Sequence, residues 1–168
     1  MANDMDLLAT TSSSGVASVV LSMGSASIAN YRYIDIFGTA FMTNATGGVK
    51  MQFNGDGGSN YSTAYLEQQA AGTMGWGSGL SETSTWCAYR PSGSTDRPLH
   101  FYARIFNPNA TDRNKQTQVR FGNYTEGFNG TYNGLWMNNN AITSITLVTS
   151  NGTNLLAGTN FQVYGIKG

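Results

Sequence analysis

The chain has one cysteine, one histidine, three prolines and few charges, and each scarcity removes a class of protein. A lone thiol, Cys87, cannot close an intrachain disulfide, so apolar packing has to hold the fold. It reads as a small buried apolar side chain, and its solitude fits folding in a reducing cytoplasm. One Cys and one His supply too few ligands for a structural zinc site. Nine basic residues balance nine acidic ones, and charged residues make up 11% of the 168, against roughly 25% in ordinary soluble domains. With no basic excess there is no nucleic-acid partner to expect. No apolar run nears the roughly 18–20 residues that span a bilayer, so no membrane partner is expected either. The opening, Met1 to Asp6, is acidic and lacks the basic start and apolar stretch of a signal peptide.

What fills the space is neutral and polar. Gly, Asn, Thr and Ser number 21, 17, 19 and 16, together 73 of 168 residues. Asn and Gly suit turns, and Thr and Ser suit the solvent side of strands. A further 12% are aromatic, which excludes a disordered chain. A neutral surface loses little when pressed against another protein, so the composition points to a β-rich molecule that works in an assembly.

Alternation carries the secondary structure. Ala17, Val19, Leu21 and Met23 share one parity, as do Val49, Met51 and Phe53, and Leu99, Phe101, Ala103 and Ile105. Val119 and Phe121 flank Arg120, Ile145 and Leu147 form another run, and Phe161 and Val163 open a last strand reaching Ile166. Tyr61, Thr63 and Tyr65 favour a strand over the alternative of a short helix from Ser62 to Ala71. Between Tyr31 and Met42 both parities are apolar: Ile34, Ile36, Ala40 and Met42 on one, Tyr33, Phe37 and Phe41 on the other. Such a strand is either central and covered twice or covered by a neighbouring subunit. Residues 72–98 and 107–140 read as long connections, and they hold Trp76, Trp86 and Trp136. These features predict an all-β protein: a single-domain antiparallel β-sandwich of about eight strands over residues 16–168, preceded by an N-terminal arm, residues 1–15.

A search for chemistry is largely negative. There is no G-x-S-x-G nucleophile elbow. Gly75-Trp-Gly-Ser-Gly79 lacks the Lys-Ser/Thr of a phosphate loop and reads as a turn around a buried Trp76. His100 alternates with Leu99 and Phe101 and belongs on the outer face of a strand. Among the nine carboxylates (Asp4, Asp6, Asp35, Asp56, Glu67, Glu82, Asp96, Asp112 and Glu126), a glycosidase pair such as Asp35 with Glu67 would have to meet across the sandwich. Asn54-Gly-Asp56 opens like a calcium loop but no acidic series follows, so a turn explains it. No enzyme activity, catalytic residue, cofactor or metal is expected.

Two stretches carry a family likeness. Lys50-Met-Gln-Phe-Asn-Gly-Asp56 runs into Ser59-Asn-Tyr-Ser62, and Ala141-Ile-Thr-Ser-Ile-Thr-Leu147 precedes Ala157-Gly-Thr-Asn-Phe-Gln-Val-Tyr-Gly-Ile166. With Ser18 to Leu21 and Tyr31 to Ile36, the chain from about residue 16 to 166 resembles small jelly-roll virion proteins of tailed bacteriophages. The resemblance implies a virion structural component, foremost a capsid decoration (cement) protein bound to the major capsid protein. It implies a homotrimer, assembled in the bacterial host cytoplasm. A neck, fibre or tail component, or a carbohydrate- or receptor-binding module, is the alternative. Residues 72–98 match no pattern of that family. Candidate interface residues are Leu7 and Leu8 on the arm, which is expected to dock on a neighbouring subunit, and Tyr33, Phe37, Phe41 and Trp76.

Overall fold

The computed structural model describes residues 4–23, 28–44, 46–68, 72–90, 97–123 and 127–168, with Arg90 described by its backbone alone. Asp96, Glu126, residues 1–3 of the expected arm and the end of the alternative helix, residues 69–71, lie outside the described residues. The described residues form twelve strands, more than the eight or so that alternation suggests. They are β1 (Met5–Ser13), β2 (Ser18–Ser22), β3 (Tyr33–Ala40), β4 (Gly47–Phe53), β5 (Tyr61–Gln68) and β6 (Met74–Glu82), followed by β7 (Thr85–Arg90), β8 (Leu99–Phe106), β9 (Lys115–Asn123), β10 (Phe128–Trp136), β11 (Ser144–Thr149) and β12 (Thr159–Ile166). All pairs are antiparallel. They form an eight-stranded sheet in the order β1-β12-β3-β8-β9-β10-β5-β6 and a four-stranded sheet in the order β2-β11-β4-β7. The protein is an all-β sandwich.

The strands that alternation did not show are β1, in the expected arm, and three in the two regions read as long connections: residues 72–98 contain β6 and β7, and residues 107–140 contain β10 beside β9, which extends the run around Val119 and Phe121. Gly at alternate positions of β6 hides the usual apolar alternation, and Asn, Gly and Thr do the same in β10. The hairpin β5–β6 is inserted between β4 and β7, and β9–β10 between β8 and β11. They pair with each other through β10 and β5 and widen one sheet from four strands to eight. Without them, β1-β12-β3-β8 faces β2-β11-β4-β7, and every connection except β4 to β7 crosses between the sheets.

The core lies between the sheets and follows the alternation read above: Leu21, Val49, Met51 and Phe53 from one side meet Ile34, Ile36, Phe101, Ala103, Val119, Phe161 and Val163 from the other. Cys87 is fully buried there, and desolvation pushes its thiol pKa up. Burial of some thirty apolar side chains supplies the main stabilisation. Gly38 is required for close packing, because a Cβ at that position would fall inside the Phe101 ring.

The N-terminal segment is not a separate arm. From Met5 to Ser13 it pairs with the chain's own β12. A bulge between Leu7 and Ala9 turns Leu8 and Ala9 towards the core and leaves Leu7 exposed, so the two leucines point to different sides. Asp6 fastens the strand, accepting from the Tyr31 hydroxyl at 2.6 Å and from Lys167 Nζ at 2.8 Å, and the lysine contact holds its carboxyl below the usual range.

The first family-like stretch, with the start of the second, forms one internal knot. Asn54 and Gly55 have φ of 55° and 69°, the pair a type I′ turn needs, and Asp56 N donates back to Phe53 O. The Asn54 side chain accepts from the backbone N–H groups of Thr143 and Ser144 and donates to Ala141 O, tying the turn to the start of β11. Tyr61 Oη accepts from Phe53 N at 2.8 Å and donates to Asp56 O at 3.0 Å. The Asp56 carboxylate accepts from the indole N–H of buried Trp136 at 2.8 Å, from Gly58 N at 2.9 Å and from the Asn60 amide at 3.0 Å. That stretch builds the fold.

Candidate interaction face

The outer face of the eight-stranded sheet collects the side chains that the core leaves behind. On β3 the second apolar parity points outwards. This strand is interior in its sheet and this chain covers it on one face only, which excludes the expectation that the chain itself covers it twice. Phe37 packs between Tyr102 and Tyr164, with ring centroids 5.2 and 5.8 Å away, and is still 44% exposed. Tyr33 meets Phe106 edge-on at 5.5 Å and lies under the Arg104 guanidinium. Phe41 lies past the strand end, against the turn at Gly158.

Among the described residues the charged pair of this patch is internal to it. Arg104 grips Asp35 with two hydrogen bonds of 2.7 Å, and Asp35 is 4% exposed. The same contact raises the Arg104 pKa, and desolvation, with Asp35 alongside, raises that of Tyr102. Such a bidentate pair presents little net charge to a partner.

Five strand spacings away, roughly 24 Å at about 4.8 Å each, the wing made by β5 and β6 carries a second patch. Trp76 is 81% exposed and Leu80 80%, with Met74 and Leu66 beside them. This overturns the reading of Gly75–Gly79 as a turn around a buried tryptophan. The segment is a strand whose glycines face inwards, where the Tyr65 ring lies against Gly77, while Met74, Trp76, Ser78 and Leu80 face out. A groove of about 500 Å³ runs between the two patches, floored by Ser62, Ala64 and Asn133 and flanked by Leu80, Phe106 and Leu135. The structure therefore places Leu7, Tyr33, Phe37 and Trp76 on one face, Leu8 on the opposite side of β1 and Phe41 at a strand end. Leu66, Met74 and Leu80 were missed in the sequence. The Met-Gly-Trp-Gly-Ser-Gly-Leu alternation would have shown two of them.

On the inner side, the wing overhangs the smaller sheet and leaves a cleft of about 250 Å³ lined by Tyr65, Glu67, Trp86, Tyr89 and Tyr132. Glu67 accepts from the Tyr132 hydroxyl at 3.3 Å, and Lys50 Nζ stands 4.2 Å from the Trp86 ring centre. Glu67 and Asp35 do not meet: four strand spacings, roughly 19 Å, and the thickness of the sheet separate them. His100 is exposed on β8, its Nδ1 3.1 Å from Thr39 Oγ1, as its alternation predicts. Among the described residues no group of three or more His, Cys, Asp or Glu side chains is placed to hold a metal ion.

No protein-family model matches the chain, and no curated protein matches it.

Proposed function

We propose that this protein is a virion structural component, a decoration (cement) protein that bridges subunits of a tailed-phage capsid. The observation that carries the reading is the outer face of the eight-stranded sheet. Exposed Phe37, Leu66, Met74, Trp76 and Leu80 flank a groove on this face, with Arg120 exposed between the two patches. Apolar area of this extent marks a protein–protein contact surface. The family likeness supplies the setting. We read the orders β1-β12-β3-β8 and β2-β11-β4-β7 as those of a jelly roll carrying two hairpin insertions. β6 of the first insertion lies within residues 72–98, the stretch that matches no pattern of that family, so the feature particular to this chain is the strand that bears Trp76. Binding only to the assembled shell stabilises that shell by mass action, and many symmetry-related copies turn modest contacts into firm retention.

Electron microscopy of intact particles tests this directly: density for the sandwich should cover capsid-subunit junctions in hundreds of copies. A few copies at the neck or tail would move the protein to the alternative structural role, and its absence from purified particles would refute both. The cleft of Tyr65, Trp86, Tyr89 and Tyr132 beside Glu67 favours a second reading, a saccharide-binding module, because sugar rings stack on aromatic faces and a carboxylate accepts their hydroxyls. Glycan-array binding abolished by Trp86→Ala would select it.

A further inference from the structure

The large sheet ends in two strands that are built differently. At one end β1 is blunted: it carries the Leu7–Ala9 bulge and the charges of Asp4, Asp6 and the adjoining Lys167, devices that keep edge strands from pairing. In the smaller sheet β2 has only five residues, and β7 is bulged against β4 between Val49 and Lys50. At the other end of the large sheet, β6 has no such protection over most of its length. Met74 to Ser81 contains no charge and no proline, and its register with β5 is regular from Met74 to Gly79. Only beyond Gly79 does a bulge, with Ser81 at φ 58°, disturb it. One side of β6 is paired with β5, and among the described residues no strand lies on the other, so a row of backbone N–H and C=O groups faces outwards.

We infer that β6 pairs antiparallel with β6 of a second copy, joining two eight-stranded sheets into one continuous sheet across a two-fold axis near Gly77. The strand is self-complementary in this arrangement. Met74 stands opposite Leu80 of the other copy and Trp76 opposite Ser78, with the two tryptophans diagonal neighbours on one face. The inner positions Gly75, Gly77 and Gly79 add no side chain that would hold the backbones apart. A neutral strand offers no charge to recruit a charged partner and no like charges to repel its own copy.

Met74, Trp76 and Leu80 meet the other copy's side chains flank to flank along the paired edges while their outer surfaces stay free. The contact is smaller than the roughly 1,200–2,000 Å² of standard interfaces and belongs with weak, transient pairs. A two-fold axis closes this contact after two copies, where the family likeness suggests three. The inference stands on the strand edge alone and holds wherever in a particle the protein resides.

Analytical ultracentrifugation and hydrogen exchange of the full chain test it. Wild type is expected to be a dimer at about 100 μM, with amides of Met74 to Leu80 gaining protection as concentration rises. Trp76→Lys with Leu80→Lys should be monomeric at that concentration, with an unchanged far-UV circular dichroism spectrum, its association weakened roughly 30-fold or more by loss of the central anchor. A monomeric wild type overturns the inference, as does an oligomer that survives the double lysine variant or forms without protection in β6. None of these results bears on the particle-location experiment, so the two proposals fail separately.

Discussion

Replacing Asp56 by alanine tests whether the family-like turn is a structural knot. The indole N–H of Trp136 is buried and donates 2.8 Å to that carboxylate, so the variant leaves a buried donor without a partner, a loss of about 1–3 kcal/mol. Gly58 N and the Asn60 amide are near the surface and regain water, adding about 0.5–1 kcal/mol. The expected loss is about 1.5–4 kcal/mol, a large share of the roughly 5–15 kcal/mol that holds a domain together. At this chain length it lowers Tm by about 3–16 °C. Asp56→Asn keeps an acceptor and should lose about half as much.

The same contacts predict a pH dependence. The Trp136 indole first, and then Gly58 and Asn60, hold the Asp56 carboxyl below its ordinary range. A carboxyl whose folded-state pKa is depressed contributes stability above its unfolded pKa, about 4, and loses it as pH falls through the folded value. The gap between wild type and Asp56→Ala should therefore be full at pH 7 and shrink in acid. Urea unfolding followed by tryptophan fluorescence at pH 7 and pH 3 measures both. A variant within about 0.5 kcal/mol of wild type, a difference within ordinary surface scatter, would refute the reasoning.

Three further outcomes follow from the packing. Gly38→Ala forces a methyl group into the Phe101 ring and should destabilise by about 1–3 kcal/mol or prevent folding, read by thermal denaturation. Arg104→Met leaves Asp35 with its cation removed; because Arg104 is itself about one-third exposed, the loss should be about 1–3 kcal/mol, below that of a fully buried pair, and Asp35→Asn in the same background should recover part of it. Cys87, buried and with its thiol pKa raised by desolvation, should resist a thiol-specific reagent in the native protein and react once urea unfolds it; prompt stoichiometric labelling of native protein would contradict the burial.

Alternation made most of the sandwich readable, since each half-buried strand writes its core parity into the chain: Val49, Met51 and Phe53 are an example, and all three are buried. Two-sided apolarity at Tyr33 and Phe37 likewise identified a strand with a second face to account for. The wing was not readable in this way. Its inner positions in β6 are glycines, so the parity is written in large side chains that face solvent, which is why Trp76 was assigned to a buried turn. β1 was taken for an arm because its two leucines stand in a polar stretch; pairing with β12 at the far end of the chain makes it a strand, and the bulge sets Leu8 and Ala9 on the same inner side.

By itself, then, the sequence determined the all-β class and the core parity of the regular strands, because these depend on spacing between near neighbours, and the burial of Cys87 from the apolar character of its side chain. Only the tertiary structure decided which strands share a sheet, that Asp35 is held by Arg104 and kept from Glu67, and that Phe37 and Trp76 share a face. Those relations join residues tens of positions apart, and pairing across a sheet leaves no local pattern in the chain.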